Sequence, residues 1–212
     1  MQYLRIIPSL LLSKGKLVKG KNFINHKNVG SPVTTVNAFD SQKADEIFII
    51  DLDSYKNGIS QDYKSLKEIS KISSTPITFG GGIKNIEDIK MAFTNGADKI
   101  FLNSILFNNP DIVNLTGNIY GNQSIIGGVN INCSDDKYFL LEDKTRKIDP
   151  LEHVNYLEKI GVAEIKITYV HLEGTKNGID IDYSKKIKET TSLPCIFEGG
   201  IGNLKHLENF FL

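Results

Sequence analysis

Pro76-Ile77-Thr78-Phe79-Gly80-Gly81-Gly82-Ile83 and Pro194-Cys195-Ile196-Phe197-Glu198-Gly199-Gly200-Ile201 are two versions of one segment. Each carries a short apolar run into a glycine turn, and matching positions lie 118 residues apart. The correspondence extends upstream: Glu46-Ile47 matches Glu164-Ile165, Lys56-Asn57-Gly58-Ile59 matches Lys176-Asn177-Gly178-Ile179, and Asp62-Tyr63 matches Asp182-Tyr183. A repeat of this length is too long for a solenoid unit. It is half a fold, duplicated, with approximate halves 1–120 and 121–212.

Between the two copies, apolar runs alternate with amphipathic stretches. Strands are expected over Leu4–Leu12, Ile47–Ile50, Ile77–Phe79, Ile100–Leu102, Ser124–Val129, Ile165–Tyr169 and Cys195–Phe197. Such continuous apolar runs suit strands covered on both faces, as in parallel sheets. Tyr63, Leu66, Ile69 and Ile72 fall at helical spacing, as do Leu151, Val154, Leu157 and Ile160. Asp149 followed by Pro150 is a helix start, Asn85 caps a helix from Ile86 to Thr94, and Gly96 ends it. The polar segment Asp135–Lys147 reads as a surface hairpin. Repeated strand–helix units imply a parallel sheet. The first strand runs into Ser13-Lys14-Gly15-Lys16, which is no dinucleotide fingerprint, so an open Rossmann sheet is disfavoured. The expected fold is a single α/β domain over 1–212, a (β/α)8 TIM barrel of two half-barrels. Seven strands are counted in 212 residues, so the last β/α unit is expected to be missing.

Composition narrows the function. With 25 basic and 25 acidic residues, the balanced charge argues against a nucleic-acid surface. No apolar run is long enough for a membrane span, and the N-terminus lacks a signal-peptide layout, so a cytoplasmic protein is expected. Cys133 and Cys195 have no metal-ligand spacing and are expected to be reduced thiols, while the four histidines form no cluster. No metal or cofactor is expected. The glycine turns point to an anion instead. Successive backbone N–H groups at Gly81-Gly82 and Gly199-Gly200 can converge on a phosphate at a helix start, with Asn103-Ser104 placed to assist the first. A plain tight turn is the structural alternative.

Taken with Arg5-Ile6-Ile7-Pro8, Val18-Lys19-Gly20-Lys21-Asn22-Phe23, Gly96-Ala97-Asp98-Lys99, Asn103-Ser104 and Glu173-Gly174-Thr175-Lys176, the chain resembles the cyclase (synthase) subunit of imidazole glycerol phosphate synthase over essentially its whole length. The resemblance implies a glutaminase partner docked at the barrel floor, near Asp98, and ammonia passing through the barrel to a bisphosphate substrate at its C-terminal face. It implies a gate of four charges, Arg5, Glu46, Lys99 and Glu164, one near the start of each odd strand. The ordinary alternative is an ion-pair plug. It further implies phosphate and substrate contacts at Lys19, Asp51, Gly81, Gly82, Asn103, Ser104, Gly174, Thr175, Gly199 and Gly200. Asp51 and Asp53 could instead cap their loop, and His171 reads as a loop residue. The sequence departs from the family at the two catalytic aspartates, where Leu11 and Asn130 stand. Leu11 moves no proton, and Asn130 hydrogen-bonds without acting as a general base. Three readings follow: an ammonia-conducting subunit with changed chemistry, a histidine-pathway cyclase, or a non-catalytic scaffold.

Overall fold

The structure, a computed structural model, describes residues 4–54, 61–145 and 147–211. The repeat motif Lys56-Asn57-Gly58-Ile59 lies outside them. Among the described residues ten strands form one sheet: β1 (Ser9–Ser13), β2 (Lys16–Lys21), β3 (Ile24–Gly30), β4 (Ile47–Asp51), β5 (Ile77–Gly80), β6 (Lys99–Leu102), β7 (Ile125–Ser134), β8 (Lys137–Leu140), β9 (Glu164–Tyr169) and β10 (Cys195–Glu198). Seven of them, β1, β4, β5, β6, β7, β9 and β10, are parallel staves in chain order, joined by helical crossovers. This is the curled α/β sheet of a TIM-type barrel. Among the described residues no strand pairs with the second edge of β10, and its four residues are each half-buried, whereas those of β5 are all buried.

Helix signals read from the chain hold where capping chemistry is local. Asn85 accepts from the Asp88 N–H at the head of Ile86–Thr94. Asp149 accepts from Leu151 and Glu152 at the head of Pro150–Ile160, and Gly161 ends that helix in the left-handed region. One pairing in the repeat is corrected. Asp62 caps the helix Tyr63–Ser70, but the equivalent cap in the second half is Asp180, ahead of Ile181–Thr190, and not Asp182. The repeat offset stays at 118 there, because an Asp is needed one position before the first helical residue. Ile72 lies beyond its helix and is exposed.

Two strand expectations are also revised. β1 begins at Ser9 rather than Leu4; Leu4 and Ile6 are exposed. Pro8 has no N–H for a ladder, and that part of the chain is held by the Phe48 N–H to Pro8 carbonyl bond and the Ile6 N–H to Asp45 carboxylate bond. Beyond β1 the chain does not enter a helix. It folds into the β2–β3 hairpin, whose mostly exposed outer strand shows too little apolar pattern to be seen in the sequence. The expected hairpin near Asp135 exists, but it starts earlier: β7 runs on to Ser134 and turns through Asp135 and Asp136, both at positive φ, into β8.

The main core lies between sheet and helices. Within it His153 is buried, stacked on Phe107 with centroids 4.5 Å apart. Burial pushes its imidazole down to about 4. The unfolded chain, with an ordinary His near 6.5, then binds more protons between these values. Stability contributed by neutral His153 is full above pH 6.5 and is lost as pH falls toward 4. We expect His153→Phe to remove this component. Urea unfolding of both proteins should give a free-energy difference that is constant above pH 6.5 and moves against the wild type below it.

Candidate functional site

Side chains alternate along a strand, so every second residue of a stave enters the barrel and residues from alternate staves share a layer. Glu46, Lys99 and Glu164 stand at the starts of β4, β6 and β9, the second, fourth and sixth staves. They share the floor layer, and Arg5 reaches it from the segment before β1. The expectation of one charge per odd strand is therefore wrong: only Arg5 comes from an odd stave. The ring itself is formed. Lys99 Nζ lies 3.1 Å from Glu46 and 2.6 Å from Glu164; Arg5 lies 3.4 Å from Glu46 and also bonds Glu164. Thr78 donates to the other oxygen of Glu46. Burial opposes ionisation of Glu164, but Arg5 and Lys99 outweigh it and hold its carboxyl below the usual range. Asp98 is exposed beside Lys99, and one of its oxygens accepts from the Ile77 N–H.

Two residues further along the same three staves stand Phe48, Phe101 and Lys166. The period of two places them directly above the ring, and the contacts agree. The two rings meet edge-on with centroids 5.9 Å apart, and the Lys166 ammonium lies 5.7 and 5.3 Å from them. Lys166 is buried, ion-paired with Glu198 and 3.0 Å from Thr168 Oγ1. Ile126 completes this inner cluster, with Ile7, Ile50 and Ile196 around it. The axis above the floor is thus filled by two aromatic rings and an ion pair. Sequence reasoning missed Lys166 and Glu198, although a step of two from each ring residue would have found the first.

A further step of two reaches Asn103, just beyond the end of β6 at the barrel mouth. Its side-chain amide donates to Glu142 Oε1 at 2.9 Å, and that of Asn130 donates to the same oxygen at 2.7 Å. Glu142 gets there because the Leu141 N–H bonds the Asn130 carbonyl, which extends the antiparallel β7–β8 pairing by one residue and sets Glu142 next to it. Burial raises its carboxyl above the ordinary range despite these two bonds. Beside it a cavity of about 420 Å³ is lined by Gly82, Lys84, Ser104, Phe107, Glu142 and Lys144, among others.

Both glycine turns are real left-handed turns. Gly81 and Gly82 have φ of +102° and +63°, and Gly199 and Gly200 have +110° and +85°. A Cβ on Gly81 would lie 2.0 Å from the Asp51 carbonyl oxygen; one on Gly199 would lie 2.6 Å from that of Tyr169. Asp51 and Tyr169 are themselves 118 apart, so the two turns pack on equivalent stave ends. Gly82 and Ser104 line the same cavity.

Other singled-out residues fall into place around these. Asp51 is buried and its two oxygens accept from the backbone N–H groups of Asp53 and Asp62, which makes it a loop brace. Asp53 accepts from Ser13 Oγ and the Lys14 N–H. The β2–β3 hairpin, which carries exposed Lys19, docks on the loop holding Gly174 and Thr175: the Asn22 N–H donates to the Glu173 carbonyl at 3.0 Å and its side chain to that of His171. A Cβ on Gly174 would lie 2.7 Å from the Gly20 carbonyl oxygen, so glycine is required for that contact. Leu11, half-buried, pairs with Val18 at the base of the hairpin. His171 has a buried Nδ1 without a partner among the described residues. No helix among the described residues is long and apolar enough to cross a membrane.

Comparison with known proteins agrees with this architecture. The family described as "Histidine biosynthesis protein" matches residues 5–211. The chain is 33% identical over 212 residues to the "Imidazole glycerol phosphate synthase subunit HisF" of Clostridium botulinum (strain Kyoto / Type A2), covering 98% of this chain and 84% of that relative. Identity to the corresponding subunit of Clostridium botulinum (strain 657 / Type Ba4) is also 33%, over 207 residues, covering 95% and 82% of the two chains.

Proposed function

The chain belongs to the histidine biosynthesis protein family, as a divergent relative of the imidazole glycerol phosphate synthase subunit HisF, and on that premise we propose that it receives ammonia from a glutaminase at the barrel floor and delivers it to a phosphorylated acceptor at the mouth. The observation that carries this reading is the floor ring. Each cation of the ring touches both carboxylates, so the charges compensate one another in the closed state. The two cations remain reachable from below, with side-chain exposures of 31% for Arg5 and 21% for Lys99. A partner surface beside Asp98 can therefore compete for them. Four charges so close to a barrel interior are expensive as mere filling, since an apolar plug of similar volume is often as stable or more so.

The acceptor's phosphate is supported by the two glycine turns and by Ser104 and Lys84 beside the first. The family's own cyclisation is opposed by Leu11 and Asn130, which replace two proton-transferring groups; each such group typically contributes on the order of 10²–10⁴ in rate. Transit along the axis requires Lys166 to leave Glu198 and the two phenylalanine rings to part. The barrel is thus a conduit that is shut at rest.

The partner is tested by co-purification. The chain mixed with glutaminases from the organism that encodes it should give a complex with one of them, weakened by Asp98→Asn; retention of the chain as a free species with every one of them would refute the reading. A histidine-pathway cyclase remains the second reading, favoured by the Glu142 carboxyl beside Asn130. Growth of a cyclase-deficient, histidine-requiring strain on this chain would select it.

A further inference from the structure

The floor ring and the barrel mouth are connected by one stave. Lys99 and Phe101 on β6 and Asn103, the first residue beyond it, follow at steps of two, so Asn103 stands at the upper end of the axis that begins at the ring. Two acceptor atoms there are buried and without a hydrogen-bond partner among the described residues: Asn103 Oδ1 and Glu142 Oε2. The rest of each group is engaged, because Asn103 donates its amide to Glu142 Oε1 and Asn130 donates to the same atom. Buried polar atoms are nearly always satisfied, and a bare acceptor costs about 1–3 kcal/mol. Two bare acceptors in adjoining residues ask for a donor with several N–H or O–H groups. The acceptors are uncharged or anionic, so an anion is the wrong occupant for this spot, whatever binds at the glycine turn beside it.

We propose that Glu142 and Asn103 form the receiving site for ammonia at the top of the barrel, and that Glu142 is the catalytic base of this face. The inference rests on the ammonia-delivery reading above. The site takes a small N–H donor, ammonia or ammonium, between Glu142 Oε2 and Asn103 Oδ1. When ammonia adds to an electrophilic carbonyl carbon of the acceptor, a C–N bond forms and the carbonyl π pair moves to oxygen. One proton of the resulting N–H₃⁺ group passes to Glu142 Oε2, and the protonated carboxyl returns a proton to the alkoxide. Atoms and charge balance without an oxidant or a metal. The two amides on Oε1 leave Oε2 as the atom that exchanges the proton. Burial raises this carboxyl, which makes its carboxylate a stronger base than an exposed glutamate. The groups acting on Glu142 are Asn103 just after β6 and Asn130 on β7, while Lys84 and Lys144 line the same cavity. Glu142 would thereby restore, from the segment after β8, a carboxyl to the strand end where Asn130 stands.

The test needs neither glutaminase nor acceptor. Side-chain carboxyl carbons of ¹³C-glutamate-labelled protein are titrated by NMR, with the Glu142 signal assigned from its loss in Glu142→Gln. Titrations in sodium chloride, ammonium chloride and tetramethylammonium chloride are compared at equal ionic strength. Ammonium should lower the midpoint of Glu142 by about one pH unit at roughly ten times its dissociation constant. Tetramethylammonium, which has no N–H, should leave the midpoint at its sodium value, and Asn103→Leu should abolish the ammonium effect. A Glu142 midpoint that is the same in all three salts overturns the site, even if the chain binds a glutaminase. Conversely, failure to bind a glutaminase with an intact ammonium shift would remove the partner and leave the site.

Discussion

Replacing Lys166 by Ala is expected to destabilise the chain by about 3–5 kcal/mol, the range for removing one partner of a buried ion pair. Lys166 is 2% exposed, and its ammonium is the cation of Glu198 as well as the group seated against Phe48 and Phe101. Truncation leaves the Glu198 carboxylate beside Thr168 without that cation and opens a void between two rings. Lys166→Met fills the void but not the charge, so its loss should be intermediate. The double substitution Lys166→Met, Glu198→Leu removes both charges and should recover most of the stability, because apolar replacement of an entire buried pair is often neutral or favourable. Urea unfolding of the wild type, Lys166→Met, Glu198→Leu and the double variant, read as a double-mutant cycle, measures the coupling. A loss in the double variant equal to the sum of the two single losses would mean that the pair contributes nothing beyond packing.

Gly81→Ala should be nearly as damaging, for a different reason. Its φ of +102° is strained for any L side chain, and the added carbon would lie 2.0 Å from the Asp51 carbonyl oxygen and 2.7 Å from its nitrogen. Both are backbone atoms at the end of β4, so no side chain can rotate away. We expect a loss of about 3 kcal/mol or more, from strain and forced separation together. Gly30 is the control. It has φ +136° with nothing within 4 Å of an added carbon. Gly30→Ala should therefore cost only the conformational strain, about 1–2 kcal/mol. Similar losses at the two sites, measured by thermal unfolding, would contradict the close approach of the β4 end to the first glycine turn.

What the sequence disclosed and what it hid follow from how far apart the deciding contacts lie. The apolar runs named the staves because each must be covered on both faces, and the capping residues at Asn85 and Asp149 act within three residues of themselves. The duplicated turns were visible because a backbone close approach forbids every residue but glycine at Gly81 and Gly199. The ring charges were known through family likeness, but the stave that carries each depends on the count of strands. The β2–β3 hairpin stayed hidden because its outer strand is mostly exposed and lacks an apolar rhythm. Glu142 was hidden for a stronger reason. It meets Asn103 across 39 positions, by way of a hairpin whose length alone decides which residue arrives at the mouth. No local pattern marks it, whereas Lys166 follows Glu164 by two and was available to anyone continuing the alternation upward.

The account stands or falls on ammonia entering at the floor. The direct measurement is glutamine hydrolysis by the co-purifying glutaminase, with and without this chain. The chain should raise hydrolysis roughly tenfold, a coupling of ordinary size between bound partners, and Lys99→Ala, which breaks two of the four ring contacts, should change that stimulation. Glutamine hydrolysis at the same rate with saturating chain and without it would contradict the account.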